Sequence, residues 1–73
     1  MIKVKLFAYF RDGRGKELDF EYRENLTILD IANELEIKEE LLAITLINGK
    51  RYSLDTVVED GKTVFLFPPV GGG

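Results

Sequence analysis

The last three residues, Gly71, Gly72 and Gly73, offer no side chain and no reactive group except the α-carboxyl that ends the sequence. Ordering glycine costs more backbone entropy than ordering any other residue, so three in a row suit no fixed element. They suit a slim thread that enters a narrow tunnel in another protein and presents its carboxylate for chemistry. Pro68 and Pro69 stand just before them. Proline donates no ladder hydrogen bond and holds the chain extended, so the pair stops a sheet at Phe67 and directs the thread away from the body. The six residues from Pro68 to Gly73 reach at most roughly 20 Å, enough to enter a partner's active site. The candidate reactive residue is therefore Gly73, with Gly71 and Gly72 as the threading segment.

Other chemistry is poorly served. The chain has no histidine and no cysteine, which removes disulfides, imidazole or thiolate metal sites, cysteine nucleophiles and the commonest general base. Gly13-Arg14-Gly15-Lys16 has a faint likeness to a phosphate loop, but Glu17 follows the lysine and a strand pattern comes next. A phosphate loop needs a helix there, with its N–H groups aimed at the anion, so a hairpin turn is the better reading. Glu39-Glu40 and Glu59-Asp60 lie in polar stretches where nothing dries them enough to raise a pKa for acid–base work. A second group of interest is aromatic. Phe7 stands on the opposite side of the first strand from Leu6, and Phe65 and Phe67 alternate with Val64 and Leu66 on the last. If those strands are neighbours, the three rings share the face without a helix and make a partner site, with Arg11 supplying an ion pair at the rim.

The elements that must position these groups read plainly. Ile2, Val4, Leu6, Ala8 and Phe10 alternate with Lys3, Lys5, Phe7 and Tyr9, a strand from Ile2 to Phe10. After the glycine-rich turn, Leu18, Phe20 and Tyr22 alternate with Glu17, Asp19 and Glu21 and complete a hairpin. Thr27 with Asp30 three positions on resembles a capping box, and Ile28, Ile31, Ala32 and Leu35 follow at helical spacing. Leu41 and Leu42 close the core from a short turn. A third strand spans about Ala43 to Ile47, and Asn48-Gly49 is a tight-turn signal from which Lys50 to Ser53 pairs back. Leu54 to Glu59 reads as a linker, Asp60-Gly61 turns, and Lys62 to Phe67 is the last strand. The expected fold is α+β, ββαββ, with one helix across one face of a mixed sheet. Residues 1–67 form the domain and 68–73 a flexible tail.

Seventy-three residues make one small domain with material for a core and none to spare for a deep pocket. The net charge is −3 and the basic residues never form a run, so a nucleic-acid footprint is not expected. The acidic stretch from Glu17 to Glu40 reads first as a solvated face that keeps a small domain soluble, with a docking surface for a basic partner as the alternative. The absence of cysteine points to a reducing, cytoplasmic home, and no stretch has the pattern of a signal peptide or membrane helix.

Phe67-Pro68-Pro69-Val70-Gly71-Gly72-Gly73 resembles the Phe-Pro-Pro-Val-x-Gly-Gly ending of the small subunit of molybdopterin synthase, within the MoaD/ThiS family of sulfur carriers. Ile2-Lys3-Val4-Lys5-Leu6-Phe7-Ala8 with Arg11 is similar to that group's first strand. The resemblance implies a β-grasp, ubiquitin-like fold. It implies that Gly73 is adenylated by an ATP-using, E1-like enzyme of the MoeB/ThiF type, then converted by a sulfur donor to a thiocarboxylate (1-thioglycine). It further implies a large-subunit partner of the MoaE type, into which the tail inserts to deliver sulfur to the molybdopterin precursor. The catalytic side chains would belong to the partners, and the chain itself holds no cofactor or metal. Phe7, Arg11, Phe65 and Phe67 would dock. A chain without cysteine has only its terminal carboxyl on which to carry sulfur. Carriage for thiazole synthesis or tRNA thiolation, and conjugation to protein lysines, use the same tail chemistry and remain alternatives.

Overall fold

A computed structural model describes residues 1–69. Strands β1 (Ile2–Leu6) and β2 (Glu17–Phe20) form the N-terminal hairpin, followed by helix α1 (Ile28–Glu34) and strands β3 (Ile44–Ile47), β4 (Lys50–Arg51) and β5 (Thr63–Phe67). The sheet order is β2-β1-β5-β3-β4, with β1 and β5 parallel at its centre and the other pairs antiparallel. This is the expected ββαββ β-grasp arrangement, with β4 as a short fifth strand.

The core lies between one face of the sheet and α1. Ile2, Val4 and Leu6 of β1, Val64 and Leu66 of β5, and Ile28, Ile31 and Ala32 of α1 are all fully buried in one cluster. Each valine, leucine or isoleucine among them contributes about 1.5–3 kcal/mol through its removal from water, which fixes the strand registers because a one-residue slip would turn the strand residues outward. Leu41 and Leu42 pack against the cluster from the 3₁₀ turn at Glu39–Leu41 and its end, as the sequence suggests.

The helix begins with a complete capping box. Thr27 Oγ1 accepts from Asp30 N at 3.1 Å, and Asp30 Oδ2 accepts from Thr27 N at 3.0 Å. It ends in a Schellman turn: Ile37 N donates to Ala32 O at 2.9 Å and Glu36 N to Asn33 O at 3.1 Å. Glu36 holds the left-handed position at φ 60°, where glycine is usual. Arg14 secures this end from the hairpin loop, with Nε donating to Leu35 O at 3.0 Å and Nη1 to Phe10 O at 3.1 Å. Asn48 and Gly49 have φ of 50° and 86°, matching the tight turn their dipeptide signals.

Several boundaries differ from the sequence reading. β1 stops at Leu6, and Ala8–Arg11 forms a 3₁₀ turn in place of four more strand residues. Phe10 still reaches the core, because the turn swings it inward, whereas Ala8 is exposed with φ 52°. β2 stops at Phe20 and Tyr22 is exposed. β3 begins at Ile44, β4 spans only Lys50–Arg51, and β5 begins at Thr63. The segment read as a linker is a structural part: Val58 is fully buried, its N–H donates to Leu26 O at 2.7 Å, and Val57 bridges to Thr27.

Candidate functional site

The face of the sheet opposite α1 carries the aromatic group. β1 and β5 pair with Lys5 beside Phe65 and Leu6 beside Leu66. Since side chains alternate along a strand, burial of Leu6 and Leu66 on the helix side leaves Lys5, Phe65 and Phe67 on the other, and Phe7 joins them as β1 ends. Phe7 lies flat on Phe67, with ring centroids 4.1 Å apart and planes 10° apart. Phe65 is stacked at 6.3 Å from Phe7. Such pairs add about 0.5–1.5 kcal/mol beyond their burial. Lys5 Nζ stands 5.7 Å from the Phe65 centroid and Arg11 Cζ 5.3 Å from that of Phe7, both within cation–π range.

β3 widens this face. Its register sets Ile44 opposite Phe67 and Leu46 opposite Phe65, and Ile44 is 39% exposed. The sequence reading omits both residues. Their signal was present, because they alternate with the inward Thr45 and Ile47 on a strand that pairs with β5.

Arg11, the residue expected to offer a partner an ion pair at the rim, sits beside Phe7. It makes none of the ion pairs found among the described residues. Its Nε donates instead to the carbonyl of Leu6 at 2.8 Å, and its guanidinium covers Phe7. The strand's early end brings this about, since the 3₁₀ turn folds Arg11 back over the residues it follows.

Phe67 links the patch to the tail. Its carbonyl accepts from Ala43 N at 3.0 Å. β5 ends there, as the prolines require. Pro68 is buried and Pro69 exposed. Gly71, Gly72 and Gly73, the threading and reactive residues of the sequence reading, lie outside the described residues, as does Val70.

The carboxylates with displaced pKa values are all displaced downward. Asp30 is lowered by the hydrogen bonds from Thr27, Glu34 by that from Arg23, and Asp60 by that from the terminal ammonium of Met1, 2.6 Å away. Downward shifts keep a carboxylate ionised and make it a poor proton donor near neutrality. Among the described residues no group of three or more carboxylates is placed to hold a metal ion. At the end of β5 opposite the tail, an open-sided groove of about 310 Å³ runs between Ile47, Asn48, Lys50, Tyr52, Val57 and Lys62.

The family model described as the ThiS family matches residues 4–73. Among solved structures, the chain is similar to a Pyrococcus furiosus protein assigned as subunit 1 of a molybdopterin converting factor. The two are 31% identical over 94% of this chain and 97% of that one, with a TM-score of 0.77. It shares its fold with SAMP1 of Haloferax volcanii, at 22% identity, TM-score 0.78, covering 99% of this chain and 98% of that one. It also shares its fold with a chain from the Helicobacter pylori complex of subunits 1 and 2 of molybdopterin-converting factor. There the identity is 22% and the TM-score 0.63, covering 99% of this chain and 97% of that one.

Proposed function

Because the chain belongs to the ThiS family of ubiquitin-like sulfur carriers, we propose that it carries sulfur as a thiocarboxylate on Gly73 and delivers it for molybdopterin synthesis. The observation that carries this reading is the junction at Phe67, where a stacked aromatic patch and the start of the proline-glycine ending meet on one residue. A partner that grips Phe7, Phe65 and Phe67 is thereby set to receive the chain that follows.

A carboxylate is a poor electrophile. In the first step a Gly73 oxygen attacks the α-phosphorus of ATP in an E1-like partner, and pyrophosphate leaves. In the second, a hydrosulfide equivalent attacks the acyl carbon and AMP leaves, which gives the thiocarboxylate. The chain's own contribution is recognition and reach, and the partners supply the catalytic side chains. The molybdopterin branch is supported by the Phe-Pro-Pro-Val that precedes the glycines and by the 31% identity to the Pyrococcus furiosus protein. The Helicobacter pylori complex of subunits 1 and 2 supports a second subunit as the partner.

The experiment is ATP–pyrophosphate exchange with an E1-like adenylating enzyme, followed by incubation of the charged chain with a synthase large subunit and pterin precursor. Exchange that depends on the chain, then loss of sulfur to the pterin, is the expected result. Exchange without pterin product, with sulfur passed to thiazole or tRNA or the chain joined to lysines, would overturn the molybdopterin assignment.

A further inference from the structure

The end of β1 and the end of β5, from which the tail departs, lie side by side. Pro68 has no N–H to continue the parallel ladder, and the carbonyl of Phe7 accepts from Phe10 N at 3.1 Å. On the β2 side, Leu6 N donates to Lys16 O at 2.9 Å, while the carbonyl of Leu6 is taken by Arg11 Nε. Between these bonds Ala8 is held at φ 52°, a conformation that residues with a Cβ rarely adopt. The guanidinium of Arg11 lies over Phe7, Phe7 lies flat on Phe67, and Phe67 is the last residue of β5. The three side chains form one stack whose base is the root of the tail.

We propose that Arg11 is a positioning residue: by capping Leu6 and covering Phe7, it fixes Phe67 and so sets the direction in which the chain leaves the sheet. The proposal rests on the carrier reading, and it assigns Arg11 to the presentation of Gly73 in place of the rim ion pair with a partner. The Nε and one face of the guanidinium are already committed within the chain. A lysine in its place keeps the charge but has no planar group to cap the carbonyl and cover the ring together.

The test uses the full-length chain with an E1-like adenylating enzyme. Affinity is measured by calorimetry without ATP, and the adenylation rate by single-turnover release of pyrophosphate. Small displacements of a reacting group lower rates steeply, so Arg11→Ala and Arg11→Lys should each lose about tenfold in rate with Kd changed less than about twofold. A loss expressed mainly in Kd, or one restored in Arg11→Lys, makes Arg11 a partner contact and overturns the proposal. Variants equal to the native chain in both measurements overturn it as well. In the free protein, the Phe67 ring and amide resonances should move in Arg11→Ala. Unmoved Phe67 signals in a folded variant contradict the stack's dependence on Arg11. A native chain that releases no pyrophosphate counts against the carrier reading itself, and the resonance measurement still decides the role of Arg11.

Discussion

At Phe67 the half-buried ring belongs to the patch on the helix-free face while the backbone closes the last strand, so one substitution separates recognition from folding. Truncating a central aromatic of an interface commonly costs 2 kcal/mol or more in binding, a loss of about 30-fold. Phe67→Ala should weaken the complex with the activating enzyme by that factor and remain folded, because Leu66 and Val64 on the other face carry the core. Titration calorimetry with circular dichroism checks both, and unchanged affinity removes the patch from the account. Val58 presents the opposite case. Fully buried in a segment that looks like a linker, it should lose about 2 kcal/mol of stability as Val58→Ala, read from chemical denaturation. The contrast shows what single residues disclose in a sequence. Phe7, Phe65 and Phe67 were legible because period-two alternation assigns them a face. Val58 was not, because an isolated buried position has no period. Arg11 and Arg14 were equally hidden, since bonds to the carbonyls of Leu6 and Leu35 depend on how loops fold back.

The helix is short and relies on its ends, since seven residues are too few to be stable alone. Thr27→Ala removes the acceptor for Asp30 N and should lower stability by about 1 kcal/mol in a denaturant titration. Its partner gives a pH dependence. Hydrogen bonds from Thr27 lower the Asp30 pKa on folding. A carboxylate so lowered adds stability above its unfolded pKa, about 4, and that stability fades as pH falls through the lower folded value. The native Tm should therefore drop more on acidification than that of Asp30→Asn, and parallel curves would argue against the box as the cause. At the other end, Glu36→Gly relieves a left-handed residue with a side chain and should gain up to about 1 kcal/mol. The capping box was readable from Thr27 and Asp30. The Schellman turn was not, because a glutamate stands at its signal position. β1 was overextended for a related reason: Ala8 and Phe10 keep the strand's alternation in sequence while the backbone leaves it at Phe7.

For the whole molecule, the sheet order gathers the two features that matter. Parallel pairing of β1 with β5 brings Phe7 to Phe67, and β5 carries the chain from that patch into the tail. This architecture was legible as an order of strand and helix patterns, and the family from the ending Phe67 to Gly73, which no periodicity argument supplies. The helix-free face was foreseen only in part, because Ile44 and Leu46 join it through the β3–β5 register. The central claim concerns Gly73. Deleting it, or adding one residue after it, moves the terminal carbonyl by roughly 3.5 Å along the chain. The Tm should stay unchanged, since the core, the helix and the sheet are all formed by residues before it. Intact mass is then measured after incubation with ATP, an E1-like enzyme and a sulfur source. The native chain should exchange one oxygen for sulfur, and the shortened and extended chains should not. Thiolation of a chain lacking Gly73 as readily as the native one would contradict the carrier reading.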